Sequence, residues 1–210
     1  GEIFDSSIEI CPVCGVGREN FVPVEDAAND FTNNTANDYL ILGNGAAGFN
    51  AAKAIRERDA TGRITMVSEE PYPSYNRPML TKSLVAGLEP EQIAMVDAPW
   101  YEENQVHQML GKRVESVDTD AGEALLDDGT KLRFTKLIYA LGSECFIPPM
   151  EGSGLPEVAA IRRLSDVRRV ETLMKSTGEA VVIGGGVLGL EAAWELKKAG
   201  LEVTVLEMAP

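Results

Sequence analysis

Two copies of one glycine pattern constrain this chain more than any other feature. Gly43-Asn44-Gly45-Ala46-Ala47-Gly48 and Gly184-Gly185-Gly186-Val187-Leu188-Gly189 both fit G-x-G-x-x-G. Alone the pattern is a weak signal, so its context matters. Each copy follows a short apolar run, Tyr39-Leu40-Ile41-Leu42 or Ala180-Val181-Val182-Ile183. Each then opens a stretch with helical spacing, Ala46 to Arg58 or Leu188 to Ala199. A second apolar run closes each unit, Ile64-Thr65-Met66-Val67 or Glu202-Val203-Thr204-Val205-Leu206. Strand, glycine turn, helix and strand at these lengths predict two βαβ units with parallel strand pairs. The expected class is α/β, with a Rossmann-like domain early in the chain and the start of a second one late.

The chemistry of such a loop follows from its glycines. The first permits a tight turn, the second lets backbone approach a pyrophosphate, and the third lets helix and strand pack closely. The helix N-terminus offers free N–H groups and partial positive charge to phosphates. The candidate contacts are Gly43, Gly45, Ala46, Ala47 and Gly48, and then Gly184, Gly186, Val187, Leu188 and Gly189. An acidic residue at the end of the second strand should accept hydrogen bonds from a ribose. In the late unit this is Glu207, and its charge favours NADH over NADPH. In the early unit the candidates are Glu69 and Glu70, with Glu69 preferred; the connection Asp59 to Arg63 blurs the register.

Between the units, Asp127-Asp128-Gly129-Thr130 is a hairpin signal flanked by Glu123–Leu126 and Lys131–Phe134. A short helix is expected at Leu80 to Ala86, and a buried strand at Leu137 to Ala140. Pro148-Pro149 and Gly152 to Pro156 resemble a junction, and Ser165 is the expected N-cap of a helix running to Met174. The net charge of −14 argues against nucleic acid, whose phosphates are held by Lys and Arg. No apolar run reaches the roughly 18–20 residues of a membrane helix. With no basic, apolar N-terminal leader visible, a cytoplasmic location is the default expectation.

Two dinucleotide loops about 140 residues apart resemble the pyridine nucleotide–disulfide oxidoreductase superfamily of flavoproteins. The resemblance implies FAD at the first loop and NADH at the second. Leu137-Ile138-Tyr139-Ala140-Leu141-Gly142-Ser143 is similar to that family's second FAD fingerprint, with Leu141 where Thr is usual; Ala140 and Gly142 carry the match. Tyr72 to Lys82 resembles a segment of the ferredoxin-, rubredoxin- and nitrite-reductase branches. There an arginine lies near the FAD phosphates and a lysine near the flavin, which implies those roles for Arg77 and Lys82. Without the resemblance both would read as a solvated loop pair. Glu191 resembles a glutamate beside the nicotinamide; otherwise it is an acid in a helix first turn. By loop alignment Met79 occupies the place of the redox cysteine in the peroxidase branches, which disfavours thiol chemistry. Cys145 then reads as a small buried apolar residue.

Cys11-Pro12-Val13-Cys14-Gly15 is a metal knuckle, but two thiolates cannot complete a tetrahedral site. The surrounding residues, including Gly1 to Phe4 and Gly17 to Phe21, resemble the second half of a rubredoxin-like domain. That implies iron, with zinc as the alternative, and a first knuckle lying just upstream of Gly1. The late unit likewise looks cut after one βαβ. The resemblance covers nearly all of this chain and about half of a typical family member. The expected organisation is a partial knuckle at 1–25, a linker at 26–37, the FAD-binding part at 38–150 and the NAD(H)-binding part at 151–210.

The resemblance implies electron flow from NADH through FAD to a rubredoxin-like iron or another one-electron acceptor. The rivals are a nitrite reductase large-subunit type of module, and a non-enzymatic zinc-ribbon or nucleotide-binding protein.

Overall fold

The computed structural model describes residues 8–10, 16–21 and 33–208. Cys11 and Cys14 lie outside the described residues, as does most of the expected linker. Just beside them, Ile10 and Gly17 form an antiparallel bridge and Arg18 pairs with Glu9 at 2.8 Å.

The first glycine loop lies between β1 (Asp38–Leu42) and α1 (Ala46–Arg58), and β2 (Arg63–Ser68) returns parallel to β1. The strand β3 (Val106–Leu110) joins β2 in parallel, and β7 (Lys136–Tyr139) joins β1 in parallel. The order β3-β2-β1-β7 places β1 inside the sheet. Period-2 alternation assigns its two faces. Ile41, Ile64 and Met66 point to one core with Phe49 and Ala52 of α1 and Tyr101 of α3 (Pro99–Glu103). Leu40, Leu42 and Val67 point to another, which contains Ala124 and Leu126. These last two belong to an antiparallel meander of β4 (Val114–Asp118), β5 (Glu123–Leu126) and β6 (Lys131–Arg133). A strand buried on both faces must be apolar at successive positions, which explains the run Leu40-Ile41-Leu42.

The connection from α1 to β2 is held by buried polar groups. The Asp59 carboxylate accepts hydrogen bonds from Thr35 (hydroxyl and backbone N–H), the Tyr39 hydroxyl and the backbone N–H groups of Thr61 and Gly62. These donors, the Thr35 hydroxyl first, hold its pKa well below the usual carboxylate range. Arg56 donates to the carbonyls of Asp59, Ala60, Gly62 and Asn104. Asn33 and Thr35, at the end of the 26–37 segment, bond to this connection.

The second loop lies between β8 (Glu179–Ile183) and α5 (Val187–Lys198), and β9 (Glu202–Leu206) pairs parallel with β8. Ahead of them runs α4 (Leu164–Met174). A third core joins this region to the first: Leu80 of α2 (Met79–Lys82), with Leu84 and Leu88, packs with Leu164, Val167, Ala192 and Leu196. On the other face of β8 and β9, Val181, Ile183 and Leu206 are exposed.

Three sequence expectations change. The helix expected at Leu80 to Ala86 is one turn, Met79–Lys82, followed by turns. The N-cap of α4 is Arg163, not Ser165, because Asp166 accepts from the backbone N–H groups of Arg162 and Arg163 at 2.8 and 2.7 Å. Cys145 is exposed rather than buried. It lies in 141–150, which has no regular structure and is exposed throughout, so no core receives it.

Candidate dinucleotide-binding site

The two loops share one local geometry. Gly43 has φ +99° and Gly184 φ +109°, in the region that favours glycine. A Cβ on Gly48 would sit 1.9 Å from the Gly43 carbonyl oxygen, and one on Gly189 would sit 2.0 Å from that of Gly184. The third glycine is therefore required by packing in both copies. The second glycine differs. A Cβ on Gly45 would meet only Arg77 Nε at 3.9 Å, and one on Gly186 would meet nothing within 4 Å. The chain itself leaves this side of both loops clear.

A cavity of about 600 Å³ opens at the first loop. It lies at the carboxyl ends of β1, β2 and β7, where open parallel sheets bind ligands. Gly43, Gly45, Ala46, Ala47, Glu69, Arg77, Ala140 and Gly142 all line it. Gly48 sits behind the loop, packed on Ile41. Five cationic side chains face the cavity (Arg77, Lys112, Arg113, Arg162 and Arg163) against three carboxylates, Glu69, Glu70 and Glu144. Two of these cations are also paired outside the lining, Lys112 with Asp128 at 2.7 Å and Arg113 with Glu115 at 3.9 Å.

These charges are held in place. Arg77 donates to Glu70, to the Tyr75 hydroxyl at 2.8 Å and to the Arg162 carbonyl at 2.8 Å. Tyr75 donates to Glu70 at 2.7 Å. Burial, and then Glu70, raise the Tyr75 pKa, so the phenol keeps its proton. Arg163 reaches Glu69 at 3.4 Å and also pairs with Glu144. Glu70 thus orients Arg77, while Glu69, with its side chain 53% exposed, stands at the rim.

The strand registers settle which residues correspond in the two units. The Gly43 N–H bonds to Val67 O and the Gly184 N–H to Leu206 O, both at 2.8 Å. The residue after Leu206 is Glu207; the residue after Val67 is Ser68. Glu69 therefore lies one position beyond the counterpart of Glu207. Glu207 Oε2 accepts from the Gly185 N–H at 2.7 Å.

Lys82 and Glu191 do not line the cavity. Lys82 is exposed and ends α2. Its neighbour Thr81 donates to Glu191 at 2.8 Å, so the fold brings the two candidates near one another. Sequence reasoning missed Asn44, Ser68, Lys112, Arg113, Arg162 and Arg163. Lys112 and Arg113 reach the cavity because the Lys112 N–H pairs with Ser68 O at 2.8 Å, a contact with no local sequence signal.

The profile of the family described as pyridine nucleotide-disulphide oxidoreductase matches residues 37–210. The chain belongs to this family. Among its relatives, the benzene 1,2-dioxygenase system ferredoxin–NAD(+) reductase subunit of Pseudomonas putida is 34% identical over 172 residues, covering 82% of this chain and 42% of that protein. Nitrite reductase [NAD(P)H] of Bacillus subtilis (strain 168) is 36% identical over 173 residues, covering 81% of this chain and 21% of that protein. The crystal structure of NADH:rubredoxin oxidoreductase from Clostridium acetobutylicum superposes with a TM-score of 0.73 at 29% identity, covering 81% of this chain and 44% of that one. The chain thus spans less than half the length of these family members. Among the described residues, no group of three or more metal-ligating side chains occurs, and no helix is long and apolar enough to cross a membrane.

Proposed function

We propose that this chain carries the FAD-binding and NADH-binding parts of an electron-transfer oxidoreductase. The observation that carries the reading is the first cavity. Its loop has the two glycines that packing demands and one that faces open space, and its lining carries Arg77, Arg162 and Arg163 beside the loop. Guanidinium groups at such a loop suit a dinucleotide diphosphate. Gly45, Ala46 and Ala47 would turn their backbone N–H groups to the diphosphate, with Arg77 adding charge and Glu69 meeting the adenosine ribose. Ala140 and Gly142, just past the end of β7, would back the cofactor. FAD bound there would supply the exchange between two-electron and one-electron chemistry, which side chains cannot supply.

NADH would bind at Gly184 to Gly189, with the Glu207 carboxylate on its ribose disfavouring a 2′-phosphate. Lys82 and Glu191, joined through Thr81, would position the reacting rings between the two units. The electron acceptor would be an iron protein of ferredoxin or rubredoxin type. This is supported by the chain's similarity to the Pseudomonas ferredoxin–NAD(+) reductase subunit and the Clostridium NADH:rubredoxin oxidoreductase. Cys11 and Cys14 would give two of the four thiolates of a rubredoxin-like iron, with zinc as the alternative occupant.

The test is direct. The purified chain is mixed with FAD, freed of excess and titrated with NADH without oxygen. A yellow protein bleached by NADH supports the reading. A chain that retains no flavin, or one bleached by NADPH alone, refutes it.

A further inference from the structure

In the first loop Asn44 stands where Gly185 stands in the second, and Ser68, the last residue of β2, stands where Glu207 follows β9. Both pairs tie the loop to the strand end, by opposite means. In the second unit a backbone N–H of the loop donates to a carboxylate, Gly185 to Glu207 at 2.7 Å. In the first unit a hydroxyl donates to a loop side chain, Ser68 Oγ to Asn44 Oδ1 at 2.8 Å. Asn44 Nδ2 also donates to the Tyr72 carbonyl at 2.7 Å. Asn44 and Ser68 are only 4% and 6% exposed.

We infer that Asn44 and Ser68 are a matched pair of positioning residues, which set the first glycine loop and displace the ribose carboxylate from position 68 to Glu69. The inference rests on the flavin reading of the first cavity. Three observations carry it. The amide of Asn44 is engaged at both ends inside the protein, so it acts on the loop rather than on a ligand. Its second bond fastens the loop to the segment bearing Glu70, Tyr75 and Arg77, so one side chain sets the backbone cradle against its cations. Finally, the two arrangements crowd each other. A Cβ on Gly185 would lie 3.1 Å from Glu207 Cβ and 3.3 Å from its Cγ and Oε2. A side chain at the loop position and a glutamate at the strand end compete for one space. Asparagine therefore goes with serine, and glycine with glutamate.

The experiment is a swap cycle in the full chain: Asn44→Gly, Ser68→Glu and the double variant, with the FAD dissociation constant read by flavin fluorescence. Ser68→Glu alone crowds Asn44, and Asn44→Gly alone loses both ties. Each single variant should weaken FAD about tenfold, and the double should return to within about threefold of the unmodified chain. A milder cycle, Asn44→Ala with Ser68→Ala, covers failure of Ser68→Glu to fold. There Ser68→Ala should weaken FAD in the unmodified background and add nothing once Asn44 is gone. Melting of the flavin-free chain is followed in parallel. A pair that only stabilised the fold would lower the melting temperature and leave the FAD constant of the folded variants unchanged, and that result overturns the inference. Losses that simply multiply in both cycles overturn it too. An unmodified chain that binds no FAD overturns the flavin reading itself, a failure seen before any variant is made.

Discussion

The hydroxyl of Thr81, in the last half-turn of α2, donates to the carboxylate of Glu191, in the first turns of α5, at 2.8 Å. The two residues are 110 positions apart, and their bond crosses from the first nucleotide unit to the second. Thr81→Val leaves a half-buried carboxylate without this donor and should cost about 1–2 kcal/mol of stability in denaturant unfolding. If Glu191 positions the nicotinamide, Thr81→Val should also slow flavin reduction by NADH while sparing FAD binding. Equal flavin reduction in both proteins would remove Thr81 from that role.

Gly45 and Gly48 lie in one loop and should respond to alanine in different ways. Gly45→Ala places its methyl in open space and should keep the melting temperature of the flavin-free chain. It should weaken FAD by about tenfold or more, since the methyl stands where backbone must approach a phosphate. Gly48→Ala drives a Cβ into the Gly43 carbonyl and should lower the melting temperature. Calorimetry beside a flavin titration separates the two effects.

Glu207 accepts from the Gly185 N–H and is the carboxylate proposed above to meet the NADH ribose. Glu207→Ala should weaken NADH by about tenfold and bring the NADPH constant closer to it, as repulsion of a 2′-phosphate disappears. Isothermal titration with both nucleotides checks this. An unchanged NADH constant would show that the carboxylate serves the loop alone.

Asp59 is 3% exposed, and among the described residues its carboxylate is held by neutral donors. Its folded pKa is depressed, so its contribution is present above the unfolded value of about 4 and is lost as pH falls below it. Asp59→Asn should lower the melting temperature by several degrees at neutral pH. Below about pH 4 the gap between the two proteins should narrow. A gap constant across that range would show that Asp59 contributes by shape alone.

Local rules made much of this protein legible. The strands at 39–42 and 64–67 were readable because burial on both faces requires consecutive apolar residues, and those at 180–183 and 202–206 were readable from the same apolar pattern, although one face of that pair is exposed. Both glycine loops were readable because positive φ and a missing Cβ are demands on single residues. The meander hairpin was readable from Asp127 to Thr130. The cap of α4 was misplaced by two residues, because Asp166 reaches back to N–H groups ahead of the helix. Cys145 was misjudged because residue type is a poor guide to burial in an extended segment.

The sequence by itself determined that two nucleotide loops exist, where each begins and which glycines shape it, since a turn and the helix after it are set by neighbours in the chain. Tertiary structure alone decided that Ser68 rather than Glu69 matches Glu207, that Lys112 and Arg163 reach the same cavity as Arg77, and that Thr81 meets Glu191. Those facts depend on strand register and on packing between distant segments, and neither leaves a periodic trace in the residues that take part.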